Sequence, residues 1–184
     1  GQQTGTAFIT VDEAGENVIV VDAGANGQLR PPRDVAGPGD VLLVQLEIPL
    51  ATVAQVVHVA ADRGARVVVN AAPYAALPPD VAALADPLIV NEHEATLLAD
   101  SGVVPRSLLV TFGAAGASWD GERVEGVSVP EAEVLDTTGA GDAFCGALAA
   151  ALAAGADRPE ALSRAAAAGA DAVRRVGAQP DPEL

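Results

Sequence analysis

The sequence predicts an α/β fold: a three-layer sandwich with a mostly parallel sheet between helices. Three observations predict it. From residue 40 onward, continuous apolar runs alternate with helical patterns, as in a sheet covered on both faces. Half of the residues are hydrophobic, and aromatics are only 3%, so the core is built from small and branched aliphatics. A chain of 184 residues is also long enough for one domain with a real core.

The elements follow in order. Residues 6–12 and 17–22 read as strands joined by the turn Glu13-Ala14-Gly15-Glu16, an antiparallel hairpin over 6–22. Residues 27–39 are rich in Pro and Gly and read as a connection. Val41 to Leu46 is expected to be a strand buried on both faces. Pro49 opens a helix that turns Leu50, Val53, Val57 and Ala61 to one side and ends at Gly64. Arg66 to Asn70 is the next strand and Pro78 to Ala85 a short helix. Leu88 to Asn91 is a strand, followed by the helical Glu92 to Asp100. Leu108 to Phe112 is a further strand. Ala117 to Asp120 and Arg123 to Val129 form a second small hairpin through Asp120-Gly121. Ala-rich helices over about 141–154 and 159–175 finish the chain, the second started by Asp157 or Pro159.

Composition excludes several functions. The formal net charge is -15, and the scattered cations form no basic face, which argues against nucleic-acid binding. All ten cations are Arg and Lys is absent, so there is no Walker-A lysine, no protein-kinase strand lysine and no lysine Schiff base. No secretory signal opens the chain and no run of 18 apolar residues occurs, so a cytoplasmic protein with no membrane association is the expectation. The single Cys145 has no disulfide partner and reads as a buried structural thiol. There is no Met, even at position 1, and the expectation is that the natural N-terminus lies upstream.

The sharpest chemical feature is Asp136-Thr137-Thr138-Gly139-Ala140-Gly141-Asp142, leading into a helix. A Gly-rich turn at a helix N-terminus exposes N–H groups without intrahelical partners, and with the helix dipole these form an anion site. Gly139 and Gly141 allow close backbone approach. Asp142 is placed to accept a proton from a substrate hydroxyl. A plain Gly-containing N-cap is the alternative. Ligands in parallel sheets bind beyond the carboxyl ends of the strands, and Asn70, Asn91 and Thr111-Phe112-Gly113 stand at those ends. Asn91 and Glu94, one turn apart, also suit an N-cap pair. Glu47, leaving a buried strand, reads either as a pocket residue or as an exposed strand end. His93 reads as solvated, since residue 97 is Leu and no His-Glu-x-x-His zinc pattern exists. His58 reads as a helix residue without partners, and Trp119 as hairpin packing.

The seven-residue string resembles the signature of the ribokinase (PfkB) family of carbohydrate kinases. Further stretches resemble that family in its own order: Ala23-Gly24-Ala25-Asn26, Gln45-Leu46-Glu47-Ile48-Pro49, Asn70-Ala71-Ala72-Pro73, Asn91-Glu92-His93-Glu94, Thr111-Phe112-Gly113-Ala114-Ala115-Gly116 and Gly177-Ala178-Gln179-Pro180. The resemblance covers nearly the whole chain. It implies a ribokinase-like fold lacking its N-terminal portion, with the 6–22 hairpin at the lid or sheet edge. It implies phosphoryl transfer from ATP to a sugar hydroxyl, ribose first among the candidates and other sugars or nucleosides after it. A nucleotide-binding fragment without catalysis is the competing expectation.

The resemblance also assigns roles. Asp142 becomes the catalytic base, and the backbone of Gly139, Ala140, Gly141 and Asp142 the anion hole. Glu47 comes near the sugar. Asn91, Thr111, Gly113, Gly116 and Gly141 contact ATP, and Glu94 organises magnesium through water. A potassium ion is expected at Asp136, Thr138, Ala172, Arg175 and Gly177. Asp181 is a departure, standing where the family usually places a small hydroxyl residue. Free aspartate has a pKa of about 3.9, so such a base is ionised but weak and suits a late proton transfer. The family's first strands, its sugar-binding Asp, its Gly-Gly motif and most of its lid have no counterpart here. A helix expected before Leu108 is missing as well. Sheet edges left open by these differences favour association, at its simplest a homodimer.

Overall fold

The computed structural model describes residues 3–11, 17–32 and 34–178. The turn at 13–16 and the residues from Gln179 onward, Asp181 included, lie outside the described residues. β1 (Thr6–Val11) and β2 (Asn17–Asp22) pair antiparallel as their own two-stranded sheet. The strands and helices that follow are β3 (Val41–Val44), α1 (Leu50–Asp62), β4 (Arg66–Asn70), α2 (Pro79–Leu84), β5 (Leu88–Asn91), α3 (Glu92–Ser101), β6 (Leu108–Thr111), β7 (Ala117–Trp119), β8 (Glu122–Val124), α4 (Ala140–Ala153) and α5 (Arg158–Ala172). The six strands β3 to β8 form one sheet in sequence order. β3 to β6 run parallel, and β7 and β8 return antiparallel.

Alternation along the central strands creates the three layers. In β4, Val67 and Val69 join the core under α1, while Val68 joins the core under α4 and α5. In β5, Leu88 and Val90 face the first side and Ile89 the second. A strand covered on both faces cannot alternate apolar with polar, which is why these runs are continuously apolar. α1 buries Val53, Val56, Val57 and Ala60. The stripe is displaced by one residue from the expected Ala61, within the wide apolar face of a globular-protein helix. α5 starts at the N-cap Asp157, whose carboxylate accepts from the Glu160 N–H at 2.9 Å.

Several expectations need correction. β3 is half-buried along its length, because it is the edge of the six-stranded sheet and has β4 as its neighbour on one side. The hairpin over 6–22 is not joined to that sheet among the described residues. It carries Phe8, Val20 and Val21 exposed. The second hairpin is shorter than expected: its return strand ends at Val124, and residues 125–129 leave the sheet. His58 does have partners. Its Nδ1 lies 2.6 Å from the Ala54 carbonyl and its Nε2 lies 3.0 Å from Asp80 on α2. Residue 80 is remote in sequence, so periodicity within α1 could not reveal the pair.

The end of the sheet opposite the carboxyl rim is closed by charge. Trp119 is fully buried and donates from Nε1 to Ser107 Oγ at 2.6 Å. The Arg66 and Arg158 guanidiniums stand 5.3 and 4.7 Å from its ring centroid. Arg66 pairs with Asp86 and Arg158 with Asp120. Trp119 is therefore hairpin packing, as its position suggests. Leu109→Ala, at a fully buried site in the core under α4, is expected to cost about 2–5 kcal/mol through the cavity it leaves. A urea denaturation midpoint lowered with an unchanged slope would show it.

Candidate functional site

All the polar strand ends meet at the carboxyl rim of the sheet, where the first turn of α4 separates two cavities. The first, of about 570 Å³, is lined by Gln45, Glu47, Asn26, Thr52 and Asp142 over an apolar floor that includes Leu42, Val44 and Ile48. The second, of about 670 Å³, is lined by Asn70, Asn91, Glu94, Thr111, Gly113, Gly116, Ala140 and Gly141, among others. Cys145, one turn further along α4, lines both.

The turn before α4 is held by three backbone approaches. Gly139, the N-cap, has φ of 78°, a left-handed conformation that glycine adopts without strain. A Cβ there would lie 2.9 Å from the Ala178 carbonyl oxygen. At Gly169 of α5 a Cβ would lie 3.3 Å from the Ala140 carbonyl oxygen, so α5 packs directly beneath the turn. Asp136 ties the turn down from the other side: its Oδ1 accepts from the Thr138 N–H at 2.8 Å and its Oδ2 from the Gly177 N–H at 2.9 Å. The hydrogen bonds from Thr138 and Gly177 hold the Asp136 pKa below its ordinary value.

Gly141 differs from Gly139. Its φ is negative and a Cβ would meet nothing within 4 Å. The fold makes no demand for glycine there, yet the residue lines the second cavity. Among the described residues, the Gly141 and Asp142 N–H groups have no backbone acceptor, and the first helical bond is Ala143 N–H to the Gly139 carbonyl at 2.9 Å. Two free donors, an open face and the positive end of a 14-residue helix give this turn the features that suit an anion.

Asn91 and Glu94 form a reciprocal capping box. The Asn91 side chain accepts from the Glu94 N–H and the Glu94 carboxylate accepts from the Asn91 N–H, both at 2.8 Å. Glu94 is 7% exposed. One carboxylate oxygen is thereby committed, and the residue still lines the second cavity. Capping leaves both residues lining the cavity. Opposite this box, the turn Gly113–Ala115 is pressed against residues 124–126. A Cβ at Gly116 would lie 2.1 Å from the Val124 carbonyl oxygen, and one at Gly126 would lie 2.0 Å from that of Ala114. Cys145 is 3% exposed. Burial first, then the charges of Asp142 and Glu94, pushes its pKa up to about 12, so it is a neutral thiol.

Glu47 is exposed and faces the first cavity. The potassium set is brought together in part. Asp136, Thr138 and Gly177 converge, and Ala172 ends α5 with its carbonyl accepting from the Arg175 N–H at 3.1 Å. The Arg175 guanidinium turns away to Asp171, 2.7 Å distant. His93 is exposed. Three site residues escaped sequence reasoning. Gln45 donates from Nε2 to Asp142 Oδ1 at 2.6 Å. Gly126 sits at the backbone crossing, and Gly169 lies beneath the anion site. Gln45 carries the same signal as Asn70, a polar residue ending an apolar strand. The two glycines carry no local signal, because their necessity lies in chain segments remote in sequence. Among the described residues no helix is long and apolar enough to cross a membrane.

Comparison with known proteins follows from this geometry. The model of the pfkB family carbohydrate kinases matches residues 1–184. A ribokinase of Schizosaccharomyces pombe is 33% identical over 203 aligned positions, covering 96% of this chain and 64% of that protein. The chain thus spans somewhat less than two thirds of that relative's length. The structure resembles ribokinase of Arabidopsis thaliana complexed with ribose and ATP, at a TM-score of 0.79 and 26% identity, covering 99% of this chain and 68% of the other. It also resembles ribokinase of Cryptococcus neoformans in complex with ADP, at a TM-score of 0.80 and 28% identity, covering 96% and 68%.

The glycines and the Asp136 tie lead to distinct expected outcomes. Gly139→Ala strains a left-handed position and meets Ala178, so it should cost about 1–3 kcal/mol of stability. Gly141→Ala should leave the melting temperature near wild type while weakening anion binding, and calorimetry with a nucleotide separates the two. The Asp136 carboxylate has a folded pKa below its ordinary 3.8. Its contribution is therefore full above that value and lost as pH falls through the lower folded value. Protection of the Gly177 amide from hydrogen exchange should persist through the ordinary value and be lost as pH falls through the lower folded value. Asp136→Asn should remove that acid dependence.

Proposed function

We propose, from the premise that this chain belongs to the pfkB family of carbohydrate kinases, that it carries out transfer of the γ-phosphoryl group of ATP to a sugar hydroxyl, with ribose the leading substrate. The observation that carries this reading is the shared helix turn. Asp142 lines one cavity and Gly141, one residue earlier, lines the other. A hydroxyl held in the first cavity and a phosphate held in the second would therefore meet at one point.

In this reading the first cavity takes the sugar, with Glu47 and Asp142 as polar contacts and the hairpin over 6–22 as part of the lid. The second takes ATP, with Asn91, Thr111, Gly113, Gly116 and Gly141 along its wall. The sugar oxygen forms a bond to the γ-phosphorus as the bond from that phosphorus to the bridging oxygen breaks, and ADP leaves. Asp142 takes the hydroxyl proton, and solvent later receives it. The transition state is loose, so catalysis rests on positioning and on donors aimed at the developing charge. The free N–H groups of Gly141 and Asp142 are such donors.

Two metals belong to the proposal. Among the described residues no group of three or more His, Cys, Asp or Glu could cage a metal, and Glu94 has one oxygen left uncommitted. That donor set fits magnesium held through water and phosphate oxygens, where it would neutralise phosphate charge. Asp136, kept ionised by its N–H partners, and the backbone carbonyls near Ala172 and Gly177 are hard oxygen donors that fit potassium. Ribokinase names among the relatives and the ribose and ATP of the Arabidopsis complex support the substrate choice.

The competing reading is nucleotide binding without transfer. ATP binding without sugar-dependent ADP release would select it. For the kinase reading, Asp142→Asn is expected to lower turnover by about 10³-fold or more while ATP still binds, because the base is lost and the anion site is not. Unchanged turnover in that variant would overturn the assignment.

A further inference from the structure

We infer that Gln45 is a positioning residue for the Asp142 carboxylate, holding Oδ1 with its side-chain amide so that Oδ2 is presented to the substrate hydroxyl. The inference rests on the reading of Asp142 as the base.

Gln45 follows β3 directly, at the carboxyl end of an edge strand, and Asp142 stands 97 residues later on α4. Their side chains meet at 2.6 Å. The partner is a carboxylate, which accepts only, so the amide nitrogen must face it and the orientation of the amide is settled. Among the described residues, Oδ2 of Asp142 receives no hydrogen bond. The two oxygens are thus unequal: one is anchored across the cavity mouth and one is open to the cavity that both residues line.

An exposed aspartate on the first turn of a helix samples several rotamers. A base must instead stand within hydrogen-bond reach of the proton it takes. The residue before α4 cannot supply the restraint, because Gly139 has no side chain. Gln45 supplies it from the opposite wall. It is also neutral, and that matters. An Arg or Lys at this position would pair with the carboxylate and weaken it as a base, while a Glu would repel it. An amide fixes direction at little cost in basicity. The other charged or titratable groups around Asp142 are Glu47 across the same cavity, Cys145 one turn along α4, and Glu94 beyond Cys145. Among the described residues none of these donates a hydrogen bond to Asp142, and Gln45 alone does so from a side chain.

The test uses the full-length protein with three variants, after melting temperature and ATP affinity have been compared with wild type. Gln45→Ala should lower kcat by about 10- to 100-fold, the scale set by a misplaced catalytic group, with the sugar KM changed by less than about 3-fold and ATP affinity unchanged. Gln45→Glu keeps the size and shape and guards against a packing effect of the alanine. It should lower activity at neutral pH and move the acid limb of kcat/KM upward by about one pH unit, because two facing carboxyl groups share a proton. A raised sugar KM with unchanged kcat in Gln45→Ala would make Gln45 a sugar ligand and overturn the inference. So would wild-type kcat and pH profile in both Gln45 variants. Asp142→Asn is the control that separates the two readings. If it is inactive while the Gln45 variants behave as wild type, the positioning role alone fails. If it remains active, the base assignment fails and the inference fails with it.

Discussion

The first turn of α4 must reach the boundary between two cavities, and three close backbone approaches hold it there. Ala178 touches Gly139, Ala140 rests against Gly169, and Asp136 joins Thr138 to Gly177. Each approach uses a glycine or a backbone amide, since a larger group would push the turn outward. The turn gains position at the expense of its own hydrogen bonding. Gly141 and Asp142 keep free N–H groups that a burial-driven fold would otherwise satisfy. Those unmet donors are tolerable because they face open space, and they are available to a ligand for the same reason.

The rest of the rim is arranged around this turn by the rules of a parallel sheet. β4, β5 and β6 run in the same direction, so Asn70, Asn91 and Thr111 end on one side. The antiparallel β7 and β8 then bring Gly126 back against the turn at Gly113. The opposite end of the sheet is closed by Trp119 between two guanidiniums paired to Asp86 and Asp120. One end is closed by ion pairs around Trp119 and the other is open, with the Gly141 and Asp142 N–H groups lacking backbone acceptors. In such folds chemistry sits at the open end.

Much of this was legible from the sequence, for identifiable reasons. Arg66 to Asn70 and Leu88 to Asn91 appear as strands because burial on both faces makes them continuously apolar. The α4 turn stands out because its glycines and Asp142 are contiguous in the sequence. The Asn91 and Glu94 box is local as well, with partners one turn apart. What stayed hidden depends on segments far apart in the chain. The edge position of β3 is a property of its neighbours and not of its apolar composition. His58 finds Asp80 across a helix–helix contact. Asp142 stands out in the sequence and Gln45 does not, and nothing local joins residues 97 positions apart. Gly126 and Gly169 read as ordinary loop and helix glycines until the opposing backbone is in view.

The wall between the cavities follows from the same geometry. Cys145 lines both and is nearly fully buried, with Asp142 on one side and Glu94 on the other. Burial and these two negative charges push its pKa up to about 12. The thiol is therefore neutral at neutral pH. A thiolate there would add a third negative charge beside an anion site and oppose the very charge that the Gly141 and Asp142 amides are free to hold. A larger neutral side chain would encroach on one cavity or the other. A small and uncharged residue suits this position, and a buried cysteine with a raised pKa is one. Asp142 and Glu94 then remain the charged groups on either side of Cys145, and of the two it is Asp142 that accepts from Gln45.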